Sequence, residues 1–332
     1  MKFGVLQFFS WPQRNIPLPK VYERAFDRIE VMDKTGYDTV WLAEHHFTDY
    51  SVCPSVHMMA MRIADRTKNL RIGTAVSLAA FYHPLRLAEE IALLDVLSGG
   101  RVNWGAGRGF DPVEFATFDV PIEESRERFY EAVEVVLGAW NNERLNFSGR
   151  YWNFKDVELM PKPLQQPHPP TWIAASSEPP ALWAAQKGLS IMMSPHASFE
   201  ENVELRDLYS NELERNGYTI EGRDIPMARM IAVADTDAEA AEIARSGVAW
   251  VAGAYINKDK SAGASGTAAM TMERSKMMDH YMNSAVIHGC PESVIDQLEH
   301  LHEEMHLDYL MCAPLSHSSF MAFTERVLPH FQ

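Results

Sequence analysis

The stretch Asp38–Tyr50, DTVWLAEHHFTDY, decides the fold. Thr39, Val40, Trp41 and Leu42 form an apolar, β-prone run that reads as a buried strand. Glu44, His45 and His46 then place three ionisable groups in a row at its C-terminal end. A hydrophobic strand that turns abruptly polar is the pattern of a (β/α)8 TIM barrel, whose strand bodies fill the core and whose tips carry chemistry.

The flanking chain keeps the same rhythm. Lys2–Phe9 predicts a strand, and Lys20–Thr35 an amphipathic helix stopped by Gly36. Beyond the opening stretch come a Met-rich helix (Ser55–Thr67), a strand (Leu70–Leu78), a helix (His83–Leu97), a strand (Arg101–Gly107) and a helix (Arg126–Trp140). Leu145–Leu159, alternating around Ser148-Gly149, predicts a hairpin excursion, and the prolines at 161, 163, 167, 169 and 170 exclude a helix after it. Strands then follow at Thr171–Ala175, Leu189–Met193, Met227–Ala234 and Leu307–Cys312. Helices follow at Pro180–Lys187, Phe199–Asn216, Asp237–Val251 (capped by Asp235 or Thr236), Pro291–Met305 and Ser319–Val327. Eight strands alternating with helices predict an α/β protein, one barrel domain over residues 1–332. Asn257–Met270 is rich in Lys, Gly, Ala and Ser without an apolar period, and reads as a flexible insertion.

Composition narrows the function. A formal net charge of −15 argues against nucleic acid and against an anionic membrane surface. Three widely spaced cysteines, Cys53, Cys290 and Cys312, make no disulfide framework, which points to a reducing, cytoplasmic compartment. The apolar run after Lys2 is short and lacks a small-residue cleavage site, so it reads as strand and not as a targeting segment. No apolar stretch approaches the ~20 residues of a membrane helix.

Four motifs bear on chemistry. Gly105-Ala106-Gly107-Arg108-Gly109 follows a strand, but its spacing is not that of a dinucleotide fingerprint. Small residues there let a flat ligand approach the backbone, and the Arg108 guanidinium can clamp a phosphate. Ser176-Ser177-Glu178-Pro179-Pro180 makes a helix start with free amides, suited to an anion or to plain capping. His45 and His46 are neighbours on an extended chain, so their rings diverge and do not grip one metal. One can face a cavity as acid, base or donor near neutral pH. His302-Glu303-Glu304-Met305-His306 matches H-E-x-x-H in letters, but His306 directly precedes a strand and falls at the helix end, so no metal site is assigned. Phe8, Phe9, Trp11, Phe47, Phe81, Tyr82 and Phe110 lie at or beyond the tips of the first four strands, suggesting a pocket for a flat or greasy ligand.

With these residues in place, the chain resembles the bacterial luciferase-like, flavin-dependent monooxygenases. The matching segments are WLAEHHFTDY from Trp41, LRIGTAVSL from Leu70, HPLRLAEEIALLDVLSGGRVNWGAGRGF from His83 and WAAQKGL from Trp183. VADTDAEA from Val233, GCPESVIDQL from Gly289 and ERVLPHF from Glu325 extend the likeness in order over nearly the whole chain. The resemblance implies a TIM barrel that takes reduced FMN from a separate NAD(P)H:flavin reductase. With molecular oxygen, a flavin C4a-peroxide would oxidise an aldehyde, ketone or aromatic substrate. It places His45 as the catalytic residue, flanked by Glu44 and His46, and Arg108 with Ser177 at the phosphate, next to Ser176. It also puts a non-prolyl cis peptide at Ala75–Val76, beside the flavin. A mobile lid is implied over 257–282, and a homodimer through the helices Ser55–Thr67 and His83–Leu97. Gly107 stands where luciferases carry a reactive cysteine, and Ser176 where they carry a glutamate, so light emission is not expected. A deazaflavin-dependent hydride-transfer enzyme on the same barrel, or a non-catalytic flavin-binding subunit, are the alternatives; the retained His45 argues against the second.

Overall fold

The computed structural model of the chain describes residues 1–256 and 274–332. In chain order, β1 (Lys2–Gln7) leads to α1 (Leu18–Met32), β2 (Thr39–Leu42) to α2 (Val56–Arg66), and β3 (Arg71–Thr74) with β4 (Ser77–Leu78) to α3 (Pro84–Ser98). β5 (Val102–Gly107) leads to α4 (Pro112–Thr117) and α5 (Ser125–Asn141). The antiparallel hairpin of β6 (Leu145–Ser148) and β7 (Asn153–Val157) follows. Next come β8 (Thr171–Ala175), α6 (Glu178–Gln186), β9 (Ser190–Met193), α7 (Phe199–Arg215), β10 (Met227–Val233), α8 (Asp237–Ile256) and α9 (Arg274–Ser284). The chain closes with β11 (Val286–Gly289), α10 (Pro291–Met305), β12 (Tyr309–Pro314) and α11 (His317–Ala322).

The main sheet runs β1, β2, β3, β5, β8, β9, β10, β12, and β12 pairs in parallel with β1, so eight strands close a parallel barrel. β4 pairs with β5 beyond the end of β3, and β11 adds to β10. The barrel expected from the alternation is therefore the fold.

Two compact units divide the contacts, the first being Phe8–Lys34 with Val40–Trp172. Within it, α1 buries Val21, Ala25, Ile29 and Met32, spaced as one helix face. Fully burying such a side chain stabilises by about 1.5–3 kcal/mol. Trp41 meets Trp172 edge-on at 5.3 Å, and Trp104 meets Trp140 at 5.1 Å. Ser55 caps α2 by accepting from the Met58 N–H at 3.2 Å, and α3 ends at Gly99, whose φ of 72° is left-handed. The Glu131 carboxylate accepts from the N–H groups of Arg150, Tyr151 and Trp152 and pins the hairpin to α5.

The second unit is Met1–Gln7, Thr35–Thr39 and Ile173–Gln332. Here β1 lies in register with β12 (Lys2 opposite Tyr309), and Phe3 packs on Phe323 and Phe331. Ser198 and Glu201 form a reciprocal cap at the start of α7. Thr236, one of the two expected caps, accepts from the Glu239 N–H at 3.3 Å and starts α8.

Three elements differ from the sequence reading. The expected third strand, Leu70–Leu78, is split into β3 and β4 around Ala75–Val76, whose peptide bond is cis as the resemblance implied. The short elements α4 and β11 were not anticipated. Of the expected lid, residues 257–273 lie outside the described residues, and the part from Arg274 is the regular helix α9. His306 ends α10 in a left-handed conformation with φ 52°, where the sequence placed it, at the helix end. No helix among the described residues is long and apolar enough to cross a membrane.

Candidate active site

β2 ends at Leu42, so Glu44, His45 and His46 stand just past its C-terminal tip. The His45 N–H donates to the Cys53 carbonyl at 3.1 Å, an isolated bridge that fixes the backbone here. Glu44 is buried and heavily engaged. It accepts from the Leu78 N–H at 3.1 Å and the Tyr82 hydroxyl at 2.9 Å, and meets His46 Nε2 at 3.0 Å. A second buried carboxylate, Glu114 on α4, accepts from the His46 N–H at 2.9 Å and lies 3.9 Å from His45 Nδ1.

The two imidazoles point to different surroundings. His45 sits among the rings of Phe8, Tyr50 and Phe110, with centroids 6.3, 5.2 and 6.2 Å away. His46 meets Phe118 edge-on at 4.8 Å and lines an open groove of about 500 Å³ beside Glu44, His57, Met58, Tyr82 and Glu90. In the groove lining His57 bridges Glu90 at 3.0 Å and, behind it, Ser77 at 2.9 Å. The hydrogen bond from His57 holds the Glu90 carboxyl down at about 2. Burial, with the Glu44 charge second, pushes the Tyr82 hydroxyl well above its ordinary value. The same causes push the Cys53 thiol up to about 12, so it stays a protonated, unreactive thiol.

At the tip of β5, Gly107 is required by a close approach. A Cβ there would sit 2.3 Å from Val76 Cγ2, so a side chain on Gly107 and the valine compete for one space. Arg108 follows, half-buried, and donates to the Ser125 hydroxyl at 3.1 Å. Burial lowers its pKa, and the neighbouring Arg126 charge lowers it further. Among the described residues no carboxylate pairs with either guanidinium. A half-buried guanidinium without a carboxylate partner is chemically suited to a phosphate. In the other unit, Ser176 and Ser177 are exposed at the start of α6. Ser177 is the N-cap residue, yet its side chain makes no capping bond, so plain capping does not account for it.

One unit thus contains Glu44, His45, His46, Ala75, Val76, Gly107 and Arg108, and the other contains Ser176 and Ser177. Sequence reasoning missed Glu114 and Arg126. A local signal for Glu114 existed. Asp111 accepts from the Val113 N–H at 3.0 Å and Pro112 follows it, so Asp-Pro-x-Glu marks a capped helix start.

The fold is a parallel (β/α)8 barrel, with two histidines and two buried carboxylates past the tip of β2 and a half-buried arginine past the tip of β5. Luciferase-like monooxygenases match this chain over residues 1–306, and the chain belongs to that family. Among curated relatives, the oxygenase component of a flavin-dependent trigonelline monooxygenase from Acinetobacter baylyi is 28% identical over 223 residues, 67% of this chain and 62% of that protein. The alkanal monooxygenase alpha chain of the Kryptophanaron alfredi symbiont is 28% identical over 77% of this chain and 72% of its own length. An uncharacterised protein of Sinorhizobium fredii is 38% identical over 52% of this chain and 51% of its length. The chain thus spans about half to two thirds of several curated relatives it matches. Among solved structures, the monooxygenase RslO1 from Streptomyces bottropensis superposes with a TM-score of 0.87 at 25% identity, covering 100% of both chains.

Proposed function

We propose that this chain is the oxygenase of a two-component system, oxidising a small aldehyde, ketone or aromatic compound with molecular oxygen and reduced FMN. A separate NAD(P)H:flavin reductase would deliver the flavin. The observation that carries this reading is Arg108, half-buried at the tip of β5 beside Gly107 and, among the described residues, without a carboxylate partner. Arg108 would hold the phosphate; the family pattern adds the Ser177 hydroxyl, with Ser176 standing where luciferases carry a glutamate. The backbone at Ala75 and Gly107, with the Val76 side chain packed over Gly107, would border the flat ring. When bound, reduced FMN supplies the electrons that activate oxygen.

The chain's own residues manage the proton. His45 would exchange it, because its ring sits among aromatic faces that exclude water. Glu44 holds His46 instead, and His46 looks into the groove by α2. The name of the trigonelline relative, an oxygenase component, supports a partner reductase. Exposed apolar side chains on α2 and α3, Met58, Leu93, Val96 and Leu97, support a homodimer through that face.

A hydride-transfer reading keeps one support, since a coenzyme F420-dependent secondary alcohol dehydrogenase shares the fold at a TM-score of 0.77. A binding titration with FMN and with a deazaflavin, followed by a substrate screen with NADH, reductase and air, separates the two. Reduced FMN binding with oxygenated product supports the proposal. Deazaflavin binding with substrate reduction overturns it.

A further inference from the structure

We propose that Glu114 is the positioning residue for His45, so that each of the two adjacent histidines has its own buried carboxylate. This rests on the reading of His45 as the proton-exchanging residue. Glu114 is 1% exposed and stands on α4, whose start is fixed by Asp111 and Pro112. One carboxylate oxygen, Oε1, takes the His46 N–H at 2.9 Å and faces His45 Nδ1 at 3.9 Å. The backbone bond locks the carboxylate to the histidine pair. The longer contact is an ion-pair distance and not a hydrogen bond, so the carboxylate acts on the ring through its charge.

Glu44 does not fill this role, because its oxygens are taken by His46, Tyr82 and the Leu78 N–H. The titratable groups around His45 include Glu44 and His46 beside it in the chain, Tyr50 and Cys53 on the segment that folds back against it, and Glu114 on α4. Cys53 carries no charge at neutral pH, since burial and Glu44 push it up to about 12. A negative charge facing Nδ1 keeps a proton on that nitrogen and favours the imidazolium, which leaves Nε2 as the nitrogen that trades protons. Glu114 therefore sets which ring nitrogen works and how basic it is.

The test is an NMR titration of the His45 imidazole in the full chain without cofactor, comparing wild type with Glu114→Gln and Glu114→Asp. Glutamine keeps an oxygen for the His46 N–H but removes the charge. The expected result is a His45 midpoint lowered by about one pH unit in Glu114→Gln, a tenfold change in basicity, with partial recovery in Glu114→Asp. Product formation in Glu114→Gln should fall on the order of tenfold at unchanged reduced-FMN affinity. A wild-type His45 midpoint in Glu114→Gln overturns the proposal, as does equal depression by Gln and Asp, which marks a purely structural role. His45→Ala separates the two layers. Full activity in that variant refutes the catalytic reading of His45, while the NMR midpoints still decide the role of Glu114.

Discussion

Replacing Arg108 by alanine should separate cofactor binding from stability. The guanidinium is half-buried, donates to the Ser125 hydroxyl at 3.1 Å and faces the Arg126 charge with no carboxylate between them. Removing it deletes one hydrogen bond to a neutral acceptor, worth about 0.5–1.5 kcal/mol. It also relieves the cost of burying a cation beside another cation, which acts in the opposite direction. Folding stability of the cofactor-free chain should therefore change by no more than about 1 kcal/mol. Binding has no such offset. A charge-assisted bond to phosphate contributes about 2–3 kcal/mol, so reduced-FMN affinity should fall roughly 30- to 150-fold. The assay is an anaerobic titration of reduced FMN followed by quenching of protein fluorescence, with thermal melts of both cofactor-free proteins. Unchanged affinity in a folded variant would refute the assignment of Arg108. A large loss of stability would show that the guanidinium is structural.

Three further outcomes are expected. Gly107→Ala should destabilise the chain by about 1–3 kcal/mol, because its Cβ meets Val76 Cγ2, and a Val76→Ala background should recover most of the loss in a thermal melt. His196 bonds the Tyr281 hydroxyl at 2.6 Å, and burial, then the Arg229 and His280 charges, push its pKa down to about 4. Its folded pKa lies below the unfolded one, so this stabilisation is present above pH ~6.5 and lost as pH falls towards 4, on the order of 3 kcal/mol in all. His196→Gln should flatten the melting temperature across that window; an unchanged slope would count against it. Light scattering at micromolar concentration should give a dimer mass, and glutamate at Met58 or Leu97, 77% and 59% exposed, should give a monomer.

Much of this was legible in the sequence because periodicity reports burial. The helix Pro291–Met305 was read with its observed bounds, and the strand tip carrying Glu44, His45 and His46 was located from the switch of apolar to ionisable residues. The divergence of His45 and His46 followed from their adjacency in extended chain, and the structure gives them separate surroundings. The short elements α4 and β11, six and four residues long, were lost because so few residues carry little periodic signal. Glu114 was lost for a different reason. Its bond to His46 spans 68 residues, so only the closed sheet brings the two together. The Asp-Pro-x-Glu signal marks a helix start without saying what the glutamate faces. Arg126 beside Arg108 is a similar case, since repulsion between like charges is a tertiary fact.

The central claim is that this barrel inserts oxygen with reduced FMN and relies on His45. The most direct measurement supplies reductase, NADH and FMN under isotopically labelled dioxygen. Label is then read in the product from wild type, His45→Ala and His46→Ala. The account predicts labelled product from wild type, a loss of about 10²–10⁴ in rate for His45→Ala with reduced-FMN affinity within a few-fold, and a smaller loss for His46→Ala. Product without label, or a His45→Ala variant as fast as wild type, would contradict it.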